Sequence, residues 1–314
     1  MAETTRRVRA VSFFEAPPHP EIRHLSIGFF DGVHRGHQEV LRQLLACASD
    51  PKECGVLTFE PHPLAVIRPE AAPPRLTTPA QKVLLLAAAG PRLVLVIPFD
   101  QRLRESSPDA FLQGILRIFP NLQTIVVGKD FRFGFGAKGN VERLQEFGSR
   151  RGFVTQIVSP LLENGSRVAS SRIREAIRQR KFEEAERWLG RSYAIVGKVA
   201  PGAGIGHLLG VPTANLEGIT QLLPPEGVYA CRARIPEEFI AVANYGRRPT
   251  LGPGSGPLLE VHLLDFAGDL SEIEVEVSHW HFLRPEKRFG SLEELRVQIA
   301  ADIAEARNHF AKEK

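Results

Sequence analysis

The periodicity of the chain changes once, near residue 190, and that change limits the folds open to it more than any other feature. Up to about residue 180, short apolar runs at 25–30, 55–59, 93–98, 124–127 and 153–158 alternate with helix-period stretches at 39–48, 81–89 and 108–119. Runs that are apolar throughout read as strands buried on both faces, and the helices between them read as crossovers. Together they predict a mostly parallel sheet covered on both sides. One or two helices rich in Arg and Glu over 171–189 close this half. From Tyr193 onward, runs at 193–199, 227–235, 239–243, 258–266 and 273–280 follow one another across Pro/Gly-rich turns. No helix separates them, so an antiparallel barrel or sandwich is expected. A last helix is predicted where Leu292, Leu295, Ile299, Ile303, Ala306 and Phe310 recur every three or four residues, with Ser291 and Glu294 spaced as a capping box. The chain of 314 residues is long enough for two cores, and the domains are drawn as 1–190 and 191–314.

Composition narrows the function classes. With 43% hydrophobic and 24% charged residues the chain is an ordinary folded protein. Its 40 Lys and Arg against 36 Asp and Glu leave +4, a mild bias that suits anionic ligands but not a dedicated nucleic-acid binder. Cys47, Cys54 and Cys231 have no metal-like spacing and are odd in number, which fits a reduced, cytoplasmic chain. The N-terminus carries arginines without the apolar segment of a leader, and no run is long enough to span a bilayer. Neither secretion nor membrane insertion is expected.

Two stretches carry chemistry. The run ending at Phe30 leads into Asp31–Gly32–Val33–His34–Arg35–Gly36–His37, and a helical pattern follows. Exposed N–H groups and the positive end of a helix make such a junction an anion site. Glycines at 28, 32 and 36 let a phosphate approach the backbone. His34 and His37, three residues apart, would point the same way and could donate to charge building up at phosphorus. The same spacing also suits two surface histidines beside a glycine turn. In the second half, a Gly-rich segment at 202–206 precedes Pro212–Thr213–Ala214–Asn215. It has neither Walker-A nor GxGxxG spacing, and from spacing alone it reads equally as a turn. Thr213 and Asn215 alternate around Ala214, so both oxygens could face one hard cation such as Mg²⁺. Glu260 and His262 share one face of a strand, either solvated or placed to work.

The string GFFDGVHRGHQ at 28–38 is followed in order by TFEPHP at 58–63, GKDFRFGFGAKGN at 128–140 and SSRIREAI at 170–177. The second half adds GVPTANL at 210–216, GVYA at 227–230, NYGRRPT at 244–250 and LEVHLLDF at 259–266. This series resembles the bifunctional riboflavin kinase/FMN adenylyltransferases, the bacterial FAD synthetases, over roughly residues 25–310. The resemblance implies an α/β nucleotidyltransferase domain of the Rossmann-like, HxGH type, followed by an antiparallel β-barrel domain with a C-terminal helix. It implies riboflavin, FMN and ATP as substrates, Mg²⁺ as cofactor, and a monomer or weak homo-oligomer with no nucleic acid or membrane partner.

By resemblance His34, His37 and Arg174 serve adenylyl transfer, with Gly28, Phe30, Asp31, Gly36, Ser170 and Ser171 at the ATP phosphates. Glu260 becomes the base for the riboflavin 5′-hydroxyl, Thr213 and Asn215 the Mg²⁺ ligands, and Gly202, Gly204 and Gly206 a phosphate-wrapping loop. His62, Asp130, Phe131 and Arg284 fall toward the flavin. Phe29, Ala169, His207 and the pair Ser271–Glu272 depart from the family pattern, so a chain with one live site, or a flavin-binding regulator, remains an alternative at this stage.

Overall fold

Strands β1 (Arg7–Ala10), β2 (His24–Ile27), β3 (Cys54–Glu60), β4 (Leu93–Pro98), β5 (Thr124–Gly128) and β6 (Val154–Val158) form one sheet in the order β1-β4-β3-β2-β5-β6. Every pairing in it is parallel. The computed structural model describes residues 7–200, 213–246, 258–270 and 273–312. Two compact units divide the chain, Met1–Ser170 and Ser171–Lys314.

In the first unit the strands alternate strictly. Leu25, Ile27, Leu57, Leu93 and Leu95 enter one apolar cluster, with Phe111 and Ile115 of α5 (Pro108–Ile118) and Leu144 of α6 (Val141–Arg151). Val56, Val94 and Val126 enter the other, with Leu41 and Leu44 of α1 (Arg35–Ala46) and Leu86 of α3 (Pro79–Ala88). Period-two alternation with apolar residues on both parities is what a doubly covered parallel sheet requires. Two short helices, α2 (Pro63–Ile67) and α4 (Gln101–Arg104), follow β3 and β4. The strand β1 was not expected: these four residues, two of them arginines, pair in register with β4 from Leu93 to Val96.

A two-stranded ribbon, β7 (Leu162–Glu163) and β8 (Ser166–Arg167), precedes the helix α7 (Ser170–Arg178), which α8 (Phe182–Leu189) follows. The second unit then closes a barrel from β9 (Ile195–Val199), β10 (Thr213–Glu217), β11 (Gly227–Arg234), β12 (Glu238–Gly246), β13 (Leu258–Leu263) and β14 (Glu274–Arg284) in the order β10-β13-β12-β11-β14-β9. All pairings are antiparallel. The closed barrel is the expected antiparallel barrel rather than a sandwich, and β10 is a strand that the Gly/Pro-rich context had hidden. Ala214, Leu216, Leu259, Val261, Leu263, Ala241 and Ala243 are buried and fill the interior.

The last helix, α9 (Leu292–Ala311), packs Ala306 and Phe310 against Ala230, Ile240 and Val242 on the barrel's outside. Its predicted apolar face is only half used, since Leu292 stays 69% exposed. The capping box is split as well. Ser291 accepts the Glu294 N–H at 3.2 Å, while the Glu294 carboxylate reaches one residue further back, to the Gly290 N–H at 2.9 Å. Among the described residues no helix is long and apolar enough to cross a membrane.

Candidate active sites

In the first unit the strand order reverses at β2, with β3 on one side and β5 on the other. Ligand crevices in open α/β sheets form at such switch points, outside the carboxyl ends of the strands. A cavity of about 320 Å³ opens there, walled by the ends of β2, β5 and β6. The turn from β2 to α1 is strained. Phe30 (φ 55°) and Val33 (φ 39°) both lie in the left-handed region, which costs a bulky or β-branched residue of order 1–3 kcal/mol each. Neighbours hold the turn in that shape. Asp31, buried, accepts the Leu76 N–H at 3.1 Å, and Gly32 N–H donates to the Thr77 hydroxyl at 3.3 Å. Ser170 donates to the Asp31 carbonyl at 2.9 Å.

His34 caps α1: its Nδ1 accepts the His37 N–H at 3.3 Å. That bond leaves Nε2 as the protonated, donating nitrogen of His34. The two imidazoles stack with centroids 3.6 Å apart and planes 17° from parallel. Gly36 makes the stack possible, because a Cβ there would come within 3.1 Å of His34 Cε1. At Gly28, likewise, a Cβ would meet the Phe30 ring at 2.9 Å, and that ring stands edge-on to His37 at 5.3 Å. Burial holds the His37 pKa well below the ordinary histidine range, and the charges of His34, Arg167 and Lys82 push it the same way. His37 is therefore neutral near pH 7. His37 Nδ1 is enclosed without a hydrogen-bond partner, a polar atom that a ligand could satisfy.

Of the residues singled out in the sequence, Gly28, Phe30, His34, Gly36, His37, Asp130, Phe131 and Ser170 line this cavity together. Asp31 and His62 do not. The Asp31 carboxylate accepts the Leu76 N–H and the Thr77 hydroxyl, and His62 caps α2 by accepting Leu64 N–H at 3.0 Å, its ring edge-on to Phe29 at 4.3 Å. Ser171 and Arg174 follow Ser170 on α7, Arg174 being buried. Sequence reasoning missed Lys129 and Arg167 in the wall. Arg167, on β8, forms an ion pair with Asp130; the preceding ribbon residue Glu163 pairs with Arg35 at 3.0 Å. It also missed Lys82 behind the wall. A helix-phase signal was present, since Lys82 shares a face with Leu86, four residues on, and both are buried.

In the second unit the site is a strand face. Across β10 and β13, Thr213 stands opposite His262 and Asn215 opposite Glu260; across β12 and β13, Asn244 stands opposite Glu260. These five residues alternate with the buried interior residues and share the outward parity of Val242, which α9 covers. Asn244 Oδ1 is enclosed without a hydrogen-bond partner. Arg284 is bound to Asp302 of α9, donating Nε at 2.9 Å and Nη2 at 2.8 Å. Its guanidinium also lies 5.8 Å from the Phe289 ring centroid. Gly202, Gly204 and Gly206 fall outside the described residues.

Against known proteins, a family model described as FAD synthetase matches residues 16–172, and one described as riboflavin kinase matches residues 189–310. A bifunctional riboflavin kinase/FMN adenylyltransferase from Pseudomonas fluorescens is 40% identical over 90% of this chain and 91% of its own length. Proteins of the same description from Haemophilus influenzae and Escherichia coli are each 38% identical, covering 91% and 92% of this chain and 94% and 93% of their own. A solved structure described as a macrolide-efflux protein from Streptococcus pneumoniae superposes with a TM-score of 0.82 at 27% identity, over 96% of this chain and 99% of that one.

Proposed function

The chain belongs to the bifunctional riboflavin kinase/FMN adenylyltransferase family, and from that membership we propose how its two units divide one cofactor synthesis. As a member it is a transferase that phosphorylates riboflavin with ATP to give FMN, then adenylylates FMN with a second ATP to give FAD and pyrophosphate. Residues 1–190 carry the second step and residues 191–314 the first.

In adenylyl transfer an FMN phosphate oxygen attacks the α-phosphorus of ATP and pyrophosphate leaves, so no proton has to be removed from the nucleophile. The demand is for donors and positive potential around phosphorus. His34, through Nε2–H, and His37 supply these donors from the start of α1, with Gly28, Phe30 and Gly36 shaping the wall and Asp31 fixing the turn. Ser170, Ser171 and Arg174 add phosphate contacts from the start of α7. Asp130, Phe131 and His62 stand on the flavin side. The observation that carries this reading is the stacked pair His34–His37 in the wall of the switch-point cavity.

In the kinase step Glu260 takes the proton of the riboflavin 5′-hydroxyl as that oxygen attacks the γ-phosphorus. The donor set beside it is oxygen-rich: the Thr213 hydroxyl, the Asn215 amide and the partnerless Oδ1 of Asn244. Such a set fits a hard cation, and Thr213 and Asn215 would hold Mg²⁺, which when bound neutralises phosphate charge. Gly202, Gly204 and Gly206, outside the described residues, take the phosphate-binding role that the family resemblance implies, and Arg284, anchored by Asp302, stands at the flavin end. Three free thiols fit a cytoplasmic setting, and we take the working form to be a monomer or weak homo-oligomer.

Chromatography of the products formed from riboflavin, excess ATP and MgCl₂ tests the whole reading. FMN should appear first and FAD should follow; formation of neither, from riboflavin or from FMN, contradicts it.

A further inference from the structure

An ion network that neither reaction step uses lies behind the His34 turn. Lys82, on α3, is 1% exposed. Its ammonium donates to the carbonyl oxygens of Phe59 at 2.8 Å and Phe29 at 3.3 Å, and pairs with Glu60 at 2.6 Å. It also sits 4.3 Å from the centroid of the Phe29 ring. The second Glu60 oxygen takes Arg75 at 2.6 Å. One segment, 75–82, thus feeds donors to the end of β3 through Arg75 and Lys82. It feeds the turn after β2 through Leu76 N–H, the Thr77 hydroxyl and Lys82.

A leucine or methionine at 82 would fill the same space without desolvating a charge, so stability alone does not account for a lysine there. What the ammonium adds is three donors on one atom. Two of them meet the carbonyls of Phe29, just past β2, and Phe59, near the end of β3, and the Phe29 carbonyl also takes the Thr58 hydroxyl at 3.1 Å. That carbonyl belongs to the peptide leading directly into Phe30, whose left-handed backbone persists only where its surroundings over-determine it. From Phe30 the turn runs through Gly32 and Val33 to the two histidines.

We propose that Lys82 is a positioning residue for adenylyl transfer: its buried ammonium clamps the Phe29 peptide so that the left-handed turn presents His34 and His37 to the nucleotide phosphates. The proposal rests on the adenylyltransferase reading of that cavity. The same charge is felt at His37, alongside those of His34 and Arg167 and the larger effect of burial.

Two full-length variants test it, with circular dichroism and urea unfolding of each variant as the control for folding. Lys82→Met keeps much of the side chain's length and removes the charge; Lys82→Arg keeps the charge. In the Met variant, kcat for FAD formation from FMN should fall about a hundredfold, as expected for a misplaced reacting group, with KM for ATP moving less than about threefold. The acid limb of its pH profile should move to higher pH, because His37 has lost one of the charges opposing its protonation. The Arg variant should keep the limb in its wild-type place and recover part of kcat. Wild-type FAD formation by the Met variant would overturn the proposal, and so would a fall in kcat with the acid limb unmoved. Should the Met variant fail to fold, the Arg variant decides: a limb in place supports the proposal, and a limb that moves although the charge is kept overturns it. Absence of FAD from the wild-type chain would instead overturn the adenylyltransferase reading itself.

Discussion

The two sites are built by opposite means. In the α/β unit the residues proposed for adenylyl transfer hang on a turn with two bulky residues in left-handed conformations, and the turn keeps its shape through side-chain bonds: Asp31 to Leu76, Ser170 to Asp31, Lys82 to Phe29. In the barrel the residues proposed for the kinase step are successive outward residues of neighbouring strands, and the ladder itself sets Asn215 and Asn244 on either side of Glu260. A turn-borne site is therefore open to damage through residues that never meet the substrate. A ladder-borne site is damaged mainly through the residues that do.

The comparison is broken most forcefully at Glu260. Glu260→Gln should lower FMN formation by about 10²–10⁴-fold, the range for a lost general base. Because the residue sits on an outward strand face, the melting temperature should hardly move. An equal loss of FAD formation from supplied FMN would mean that the two sites are not separate. Next in size is the support of the barrel's helix. Asp302 is buried and accepts four hydrogen bonds, three from Arg284 at 2.9, 3.2 and 2.8 Å and one from Gln298 at 3.0 Å. Asp302→Ala should cost about 2–3 kcal/mol in denaturant unfolding, toward the low end for a broken buried pair because Arg284 keeps some access to water. A variant as stable as wild type would contradict the pairing.

The smallest effect sharpens the α/β side. His37 binds its proton less readily folded than unfolded, so the unfolded chain carries the extra proton between the two pKa values. Stability conferred by neutral His37 is complete above the ordinary value near 6.5 and is lost as pH falls below it, until the folded group also titrates. The slope from this one residue is at most about 1.4 kcal/mol per pH unit. His37→Gln should remove that slope, read from urea midpoints between pH 5 and 7, and a slope unchanged in the variant would contradict a neutral, enclosed imidazole.

Much of this architecture was legible because its signals are local. The switch from alternating strands and helices to strands alone marks the two fold classes, and the glycine spacing around His34 and His37 marks the strand-to-helix turn between β2 and α1. What escaped was set by partners distant in sequence. Arg7–Ala10 becomes a strand only because β4 offers it a free edge. Thr213–Glu217 becomes one only because β13 and β9 flank it. Lys82 reads as one more surface lysine until its helix phase is set against Glu60, 22 residues earlier, and Phe29, 53 residues earlier. Arg284 was expected at the flavin end, and its bidentate grip on Asp302 could not be foreseen without knowing where α9 docks.

The claim that ties the account together is that two independent sites act in sequence on one chain, and His37→Ala tests it most directly. Given riboflavin, excess ATP and MgCl₂, the variant should accumulate FMN at the wild-type rate and convert none of it to FAD. FAD at the wild-type rate, or loss of FMN together with FAD in a folded variant, would contradict it.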